Sequence, residues 1–255
     1  MDALEARHLA DLTFREVSRS VRALSSAYVE RRLALADRKP LSGRGKRAAF
    51  AMFYAPLHYL LVEHIVRSLP SASAPHTIID LGCGTGAAGA AWAIHCDRTP
   101  PIIGIDRNAW ALGEAVHTYR MFQLRGRVRH EHIQAARLQK SPAGVLAAFA
   151  LNELADTDRE TLLERLIRRG QDHLLIVEPI AGFVARWWDR WRDRFEAAGG
   201  RGDEWRLTSE LPPIVAQLDR AGGLDHRQIA GRSLWRPGRS SQQEPDRRAP
   251  LARGM

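Results

Sequence analysis

The chain has 255 residues, a formal net charge of +9 and only two cysteines. A chain of this length builds one main domain with short extensions, and two cysteines are too few for the disulfide framework of a small secreted protein. No apolar run reaches the roughly 18 residues of a membrane span, and the first residues lack the pattern of a secretory signal. We therefore expect a reduced, cytoplasmic location and no membrane span.

The positive charge is concentrated at the two ends of the chain. Residues 1–76 carry twelve basic and seven acidic side chains, residues 77–180 carry twelve of each, and residues 181–255 carry fourteen and ten. Basic segments of this kind are typical of proteins that contact RNA, because lysine and arginine neutralise phosphates. A solvated, arginine-rich surface explains the same pattern, and both interpretations stay open.

The first part of the chain has the periodicity of helices. Apolar side chains recur at spacings of three and four over residues 4–35, which predicts one amphipathic helix. A second helix is predicted over residues 48–69, where Pro56 marks a kink or a restart and His58 is interpreted as a surface or capping residue. The basic stretch 38–47 between them is broken by a proline and two glycines, and it is interpreted as an RNA-contacting loop or as a linker.

A glycine-rich loop is the strongest signal in the sequence. It follows residues 77–81, which read as a buried strand, and it precedes an alanine-rich run that reads as a helix. Gly82, Gly84 and Gly86 lack a Cβ atom, so the backbone at these positions can approach a bound molecule closely. The free N–H groups of the first helical turn point towards the same place, which indicates a ligand-binding loop.

Two nucleotide ligands compete for this loop. Its glycine spacing also satisfies the loose fingerprint of dinucleotide-binding proteins, in which a pyrophosphate lies at the N-terminus of the helix. Asp80, at the end of the strand, separates the alternatives, because a carboxylate disfavours a phosphate and favours a ligand that carries an ammonium and a sulfonium. The loop therefore favours S-adenosylmethionine over a nicotinamide dinucleotide.

A second acidic residue ends the next predicted strand. Residues 101–105 form a short apolar run, and Asp106 follows it about 20 residues after the glycine loop, as a strand–helix–strand unit requires. A carboxylate at this position can accept two hydrogen bonds from a ribose diol. Both nucleotide ligands require such an acid, so Asp106 indicates nucleoside binding without choosing between them. Asn108 is predicted to cap the helix that comes next.

Strand and helix patterns alternate through the rest of the chain, which is typical of an α/β fold. Further strands are predicted at residues 127–133, 143–151, 173–177, 224–229 and 233–235. A helix over residues 183–198 carries an aromatic stripe with three tryptophans, which is interpreted as a core-facing surface or as a base-stacking one. The composition from residue 237 onward predicts a disordered tail.

Polar residues follow the predicted strand that ends at Leu151. Asn152 and Glu153 stand where a parallel sheet presents side chains to a substrate, because ligands gather at the carboxyl ends of strands. They are the candidates for the site of methyl transfer, and a simple cap of the strand end is the alternative. Thr157 and Glu160 then have the spacing of a capping box, which predicts the start of the next helix.

The string Asp-Leu-Gly-Cys-Gly-Thr-Gly at residues 80–86 closely resembles the first motif of class I S-adenosylmethionine-dependent methyltransferases. The resemblance implies a Rossmann-like, doubly wound and mostly parallel seven-stranded sheet, closed by an antiparallel pair of strands. It also implies a set of cofactor-binding residues. These are Asp80, Gly82, Cys83, Gly84, Gly86, Asp106, Arg107 and Gln134. In this family an acid often follows the third strand and meets the adenine, and Gln134 stands there instead.

A narrower resemblance rests on the fourth and fifth predicted strands. Residues 150–154 together with residues 174–183 resemble the ribosomal small-subunit methyltransferase-like family, and the segment 54–56 is loosely similar too. This resemblance implies a ribosomal or rRNA partner. That family usually carries several cysteines after the fifth strand, thought to hold an iron–sulfur cluster, and this chain has none there.

These observations predict a methyltransferase that uses S-adenosylmethionine to methylate an oxygen or nitrogen atom, with rRNA or a ribosomal component as the acceptor that the resemblance implies. A non-catalytic ribosome-assembly factor is the alternative, and an NAD-linked oxidoreductase is a third. No metal site is predicted, because His130 and His132 share one side of a strand without a third ligand. The chain is divided into a helical extension, a methyltransferase domain and a disordered basic tail at residues 1–76, 77–236 and 237–255.

Overall fold

The computed structural model describes residues 1–31, 41–69, 75–139, 141–180 and 186–238. The strands are β1 Ile78–Leu81, β2 Ile102–Asp106, β3 Gly126–His130, β4 Gly144–Ala148, β5 His173–Glu178, β6 Arg201–Thr208 and β7 Gln228–Arg236. The helices are α1 Asp2–His8, α2 Phe14–Arg31, α3 Arg44–Ala49, α4 Ala55–Ser68, α5 Ala87–Ile94, α6 Ala109–Met121, α7 Asp156–Ile167, α8 Arg186–Ala197 and α9 Pro213–Gly222. A π-helical segment, Phe50–Tyr54, joins α3 to α4 without a break.

The seven strands form one sheet in the order β3-β2-β1-β4-β5-β7-β6. The first five strands pair in parallel, and β7 pairs antiparallel with both β5 and β6. This topology confirms the predicted doubly wound, seven-stranded sheet. The strand order reverses between β1 and β4, so the carboxyl ends of these two strands border the crevice where open α/β sheets bind ligands.

The last two strands differ from the prediction. The runs expected at 224–229 and 233–235 belong largely to one strand, β7, and its partner β6 comes earlier in the chain, before α9. Strand β6 lies at the edge of the sheet, and none of its residues is fully buried. Because an edge strand of this kind carries many polar side chains, its apolar signal is weak in the sequence.

The predicted helix over residues 4–35 is divided into α1 and α2, and residues 32–35 lie outside the described part of the chain. Thr13 and Glu16 form a capping box at the break. The Thr13 hydroxyl and backbone N–H both donate to Glu16 Oε2 at 2.8 Å, and the Glu16 N–H donates to Thr13 Oγ1 at 3.4 Å. A capping box starts a new helix, which explains why the apolar periodicity did not produce a single one.

The second predicted helix exists and begins earlier than expected, at Arg44. Pro56 lies in the first turn of α4, where a kink or a restart was predicted, and the π-helical segment carries the helix through this point without a break. By length and composition alone, the described residues contain one helix that could cross a membrane, Arg44–Ser68. In the fold its residues Phe53, Leu61 and Ile65 are fully buried, as in the core helix of a globular domain.

Two hydrophobic cores cover the two faces of the sheet. The first contains Val21 of α2, Phe53 and residues of α4, α5 and α9. The second contains residues of α7 and α8, including Leu163 and Trp191. Because the N-terminal helices share the first core with the sheet, the packing crosses residue 76, and the division of the chain at that residue stays a prediction.

The aromatic stripe of α8 faces the second core. Its four rings are buried, which confirms the core-facing interpretation and removes them from the surfaces that could stack on a base. They are Trp187, Trp188, Trp191 and Phe195. The capping box predicted for α7 is wrong, because Glu160 uses its carboxylate to accept the indole N–H of Trp191 at 3.0 and 3.1 Å.

Candidate active site

The glycine loop connects β1 to α5 and has a backbone that requires glycine. Gly82, Gly84 and Gly86 have φ angles of 72°, 51° and 78°. A Cβ atom on Gly82 would lie 2.5 Å from Ala150 Cβ, and one on Gly86 would lie 2.8 Å from the Tyr119 ring. The loop therefore fits closely against β4 and α6, and two of its three glycines are required by both conformation and space.

Hydrogen bonds from the neighbouring strand hold the start of the loop. The N–H groups of Gly82 and Cys83 both donate to the carbonyl of Ile105, at 2.8 and 3.0 Å. The side chain of Cys83 is buried against Gly104 of β2, and burial raises the pKa of its thiol well above the usual value. Cys83 therefore presents only its backbone to the crevice, and its thiol is not a reactive group.

Asp106 links the glycine loop to the turn after β2. Its Oδ2 accepts the N–H of Gly84 at 3.0 Å, and its Oδ1 accepts the N–H of Asn108 at 2.8 Å. The side chain is only partly buried, and each carboxylate oxygen keeps a second lone pair for another donor. Asn108 in turn caps α6 by accepting the N–H groups of the next turn, which confirms the predicted cap.

Asp80 lies beneath the first turns of α5. Its carboxylate is buried, and Oδ2 accepts the N–H of Gly89 at 3.0 Å. No described residue donates a hydrogen bond to the other oxygen, Oδ1, which is also shielded from solvent. Burial raises the pKa of this carboxyl from 3.8 to about 7, the bond from Gly89 opposes the rise, and the charge of Asp106 adds to it. Oδ2 thus stabilises the first turn of α5, and contact of Oδ1 with a ligand stays a prediction.

The remaining predicted cofactor residues lie at the rim of the site. Arg107 is exposed, and its carbonyl is 2.8 Å from Nε2 of His130. The Gln134 side chain donates a long hydrogen bond of 3.5 Å to Asp158. In the described part of the chain no hydrogen bond joins Arg107 or Gln134 to the glycine loop, so their role in cofactor binding stays a prediction.

Asn152 belongs to a buried network centred on Glu178, at the carboxyl end of β5. Glu178 Oε1 accepts the N–H groups of Leu151 and Asn152 at 2.8 and 3.3 Å, and Oε2 accepts the Asn152 side-chain amide at 2.7 Å. The Asn152 oxygen accepts the indole N–H of Trp187 at 3.1 Å. Burial raises the pKa of Glu178 to about 8, against the effect of the two backbone donors.

This network corresponds to the strand-end cap that was the alternative role for Asn152. Both ends of its side-chain amide are engaged inside the protein, while Glu153 is exposed. Catalytic roles for these two residues stay predictions. Sequence reasoning missed the role of Glu178, although an acid at the end of an otherwise apolar strand was a signal that it meets buried donors.

Four aromatic side chains lie together beside the glycine loop, and we call them the aromatic patch: Phe50, Tyr54, His58 and Phe149. The rings of His58 and Phe149 stack at 3.8 Å with an angle of 14°, and Phe50 meets His58 edge-on at 6.1 Å. Burial lowers the pKa of His58 to about 3, so the imidazole is neutral. The sequence interpretation of His58 as a surface or capping residue missed this stack on Phe149, because a contact between positions so far apart in sequence leaves no local signal.

The residues that the structure describes contain no group of three or more histidine, cysteine, aspartate or glutamate side chains placed to hold a metal ion. This statement covers His130 and His132, which were considered as ligands from the sequence. Only His130 belongs to strand β3, which ends at that residue.

Three solved structures with a similar fold are described as methyltransferases. An O-methyltransferase family protein from Burkholderia thailandensis is 15% identical, with a TM-score of 0.55 over 88% of this chain and 71% of that one. The mitomycin 7-O-methyltransferase MmcR is 15% identical, with a TM-score of 0.53 over 92% and 71%. A SAM-dependent methyltransferase from Aquifex aeolicus is 15% identical, with a TM-score of 0.51 over 78% and 98%. These likenesses confirm the class I methyltransferase fold.

No curated protein matches the sequence. A family model does match, over residues 45–201, and it is described as mitochondrial small ribosomal subunit Rsm22. The matched range includes the π-helical segment, the glycine loop and the Glu178 network. Since it spans more than half of the sequence, the chain belongs to the Rsm22 family and carries that family's region on a methyltransferase fold.

Proposed function

We propose that the chain binds S-adenosylmethionine at the glycine loop and transfers its methyl group to an oxygen or nitrogen atom of a ribosomal acceptor. The observation that carries the proposal is the position of Asp106, whose carboxylate joins the loop at Gly84 to the turn after β2. A carboxylate at the end of β2, one strand from the switch point between β1 and β4, supports a role as acceptor for ribose hydroxyls. The Rsm22 match and the basic ends of the chain support a ribosomal partner.

The residues of the site suit this cofactor. Asp80 Oδ1 is a buried acceptor without a described donor, which suits an ammonium group, and the partly exposed Asp106 suits the ribose. The negative charge of Asp106, together with that of Asp80 as it ionises above about pH 7, disfavours a pyrophosphate in the same place. When bound, S-adenosylmethionine supplies a methyl group on a positively charged sulfur.

The protein's own contribution is to hold the reacting groups in line. The loop fixes the cofactor side through the strand–loop hydrogen bonds of Gly82 and Cys83. The Glu178 network fixes the turn at Leu151–Asn152 on the acceptor side. Alignment of this kind supplies most of the rate enhancement in a displacement at an activated carbon, so no strong general base is needed.

Calorimetric titration with S-adenosylmethionine tests the cofactor site. We expect wild type to bind and Asp106→Ala to bind at least about tenfold more weakly, because two charge-assisted hydrogen bonds to the ribose are lost. Asp97→Ala is the matched control, since Asp97 is an exposed aspartate beyond α5. Equal affinity of the Asp106 and Asp97 variants would contradict the assignment.

A second function, a ribosome-assembly factor that binds the cofactor without turnover, is favoured by one observation. The amide of Asn152 makes one hydrogen bond at each end inside the protein, and this structural use supports a strand-end cap over a catalytic role. Transfer of labelled methyl groups to ribosomal subunits, bulk RNA and small-molecule extracts separates the two functions. Label in a ribosomal acceptor supports the enzyme, and cofactor binding with no labelled product supports the assembly factor.

A further inference from the structure

The aromatic patch extends from the cofactor side of the crevice to the acceptor side. Phe50 packs over the glycine loop, with two ring carbons 3.5 and 3.6 Å from the point where a Cβ atom on Gly84 would lie. Phe149 directly follows β4 and immediately precedes the turn that Glu178 holds. A group bound against the patch would therefore lie beside the predicted methyl donor.

The four rings are partly exposed, unlike most large aromatic side chains in the described fold. Phe53 and Phe195, for comparison, are 0% exposed. Part of each patch ring is thus open to solvent, whereas the core rings are sealed. Partly exposed rings side by side are the usual means by which proteins hold a flat ligand.

Two uncommon backbone features converge on the patch. Phe149 has a φ of 58°, a left-handed conformation that phenylalanine rarely adopts. Phe50 and Tyr54 are the first and last residues of the π-helical segment. Conformations of both kinds cost energy and are concentrated at functional sites, where they aim a side chain that a regular element would place elsewhere.

The charges around the patch indicate what kind of flat ligand it takes. His58 and Tyr54 are neutral, because burial lowers the pKa of the first to about 3 and raises that of the second to about 12. In the helix turns before Phe50, α3 carries three basic residues, of which Arg47 lies over the Trp110 ring at 5.6 Å. Neutral rings beside cationic groups match an unpaired nucleotide, whose base stacks and whose phosphate is anionic.

We propose that the aromatic patch is a stacking platform for an unpaired RNA base, held against the rings of His58 and Phe149 with its phosphate near the basic side chains of α3. This inference rests on the proposed function, and it deepens it by naming a base as the chemical class of the acceptor. Because α3 and the π-helical segment belong to the N-terminal region, it also gives that region a direct part in the site.

The test uses a single-stranded oligoribonucleotide of mixed sequence that carries one 2-aminopurine, a base whose fluorescence is quenched by stacking. The full chain is first saturated with S-adenosylhomocysteine so that the cofactor site is blocked. We expect wild type to quench the probe, and His58→Leu and Phe149→Asn to bind it about tenfold more weakly with little quenching. Asparagine is chosen at position 149 because it tolerates the left-handed conformation.

Phe122→Leu is the matched control, since Phe122 is an exposed aromatic residue at the end of α6 whose ring stacks on Tyr59 and on none of the four patch rings. It should quench as wild type does. Circular dichroism and the affinity for S-adenosylhomocysteine show that each variant is folded. Quenching that is lost in the two patch variants and kept in the control supports the platform.

Quenching that is equal in wild type and both patch variants, or absent in wild type, overturns the platform. These outcomes do not depend on methyl transfer. If the cofactor fails to bind while quenching still requires His58, the platform is supported and the proposed methyltransferase function fails. If the cofactor binds and quenching does not require His58, the platform alone fails.

Discussion

Asp80 is a buried acid whose charge the fold does not fully compensate, and replacing it with asparagine should stabilise the protein at pH 8. Burial raises its pKa from 3.8 to about 7. In the unfolded chain this carboxyl ionises near pH 4, but in the folded protein it stays protonated until about pH 7. Wild type should therefore lose stability as the pH rises between these two values, by about 4 kcal/mol at most.

Asp80→Asn removes this pH-dependent loss of stability, because asparagine does not ionise. The asparagine oxygen can still accept the N–H of Gly89, as Oδ2 does at 3.0 Å. Its amide N–H₂ takes the place of Oδ1 and leaves a buried donor without a partner, at a cost of about 1–3 kcal/mol. The balance leaves the variant more stable than wild type at pH 8 by about 1–3 kcal/mol, and less stable than wild type at pH 4 by about 1–2 kcal/mol.

Urea unfolding at pH 4 and pH 8 measures these differences, with Asp97→Asn as the exposed control. The same variant should bind S-adenosylmethionine about tenfold more weakly, since a negative charge near a cationic ligand is lost. Greater stability with weaker binding means that the acid is kept for its ligand. An Asp80→Asn protein that is less stable than wild type at pH 8 would refute this reasoning.

Three further variants test the site and its supports by urea unfolding. Gly86→Ala should lower the free energy of unfolding by more than about 2 kcal/mol, because the φ angle of Gly86 is 78° and Tyr119 blocks the new Cβ atom. Gly113→Ala, which has open space around it in α6, should be neutral or stabilising. Equal effects of the two substitutions would contradict the strained loop. Asn152→Asp places a second carboxylate against Glu178 and should cost about 2–4 kcal/mol. If Asn152→Asp is as stable as wild type, the hydrogen-bond network around Glu178 is contradicted. Burial raises the pKa of Glu114, but hydrogen bonds from α1 outweigh it and bring it to about 2. Its stabilising effect is present above pH 4.5 and lost as the pH falls towards 2, so Glu114→Gln should destabilise the protein by about 2 kcal/mol at pH 7 and by less than half of that at pH 3. A loss that is equal at both pH values would contradict the sign.

The parallel part of the fold could be predicted from the sequence because its signals are local. Each buried parallel strand is a short apolar run, and the glycine loop and Asp106 follow their strands at fixed spacing. Strand β6 could not be found in this way, since only Trp205 and Leu207 on it pack against the core and its other side chains are polar or absent. The break before α2 was missed because the capping box at Thr13 is a polar signal inside an apolar periodicity.

The site was only partly predictable for a related reason. The position of Asp80 and Asp106 follows from the strand ends, but the partners of their carboxylates depend on how loops meet. Glu178 and Asn152 are joined across two strands, and His58 reaches Phe149 from a helix in the N-terminal region. Contacts between distant parts of a chain are fixed by packing, and one sequence contains no periodic pattern that reveals them.

The central claim is that the glycine loop takes a cationic nucleoside and not a dinucleotide. Parallel calorimetric titrations of the wild-type protein with S-adenosylmethionine and with NAD at pH 7.5 test it most directly. Our account predicts one bound S-adenosylmethionine per chain and no detectable heat with NAD. Binding of NAD with the higher affinity, or binding of neither molecule, would contradict it.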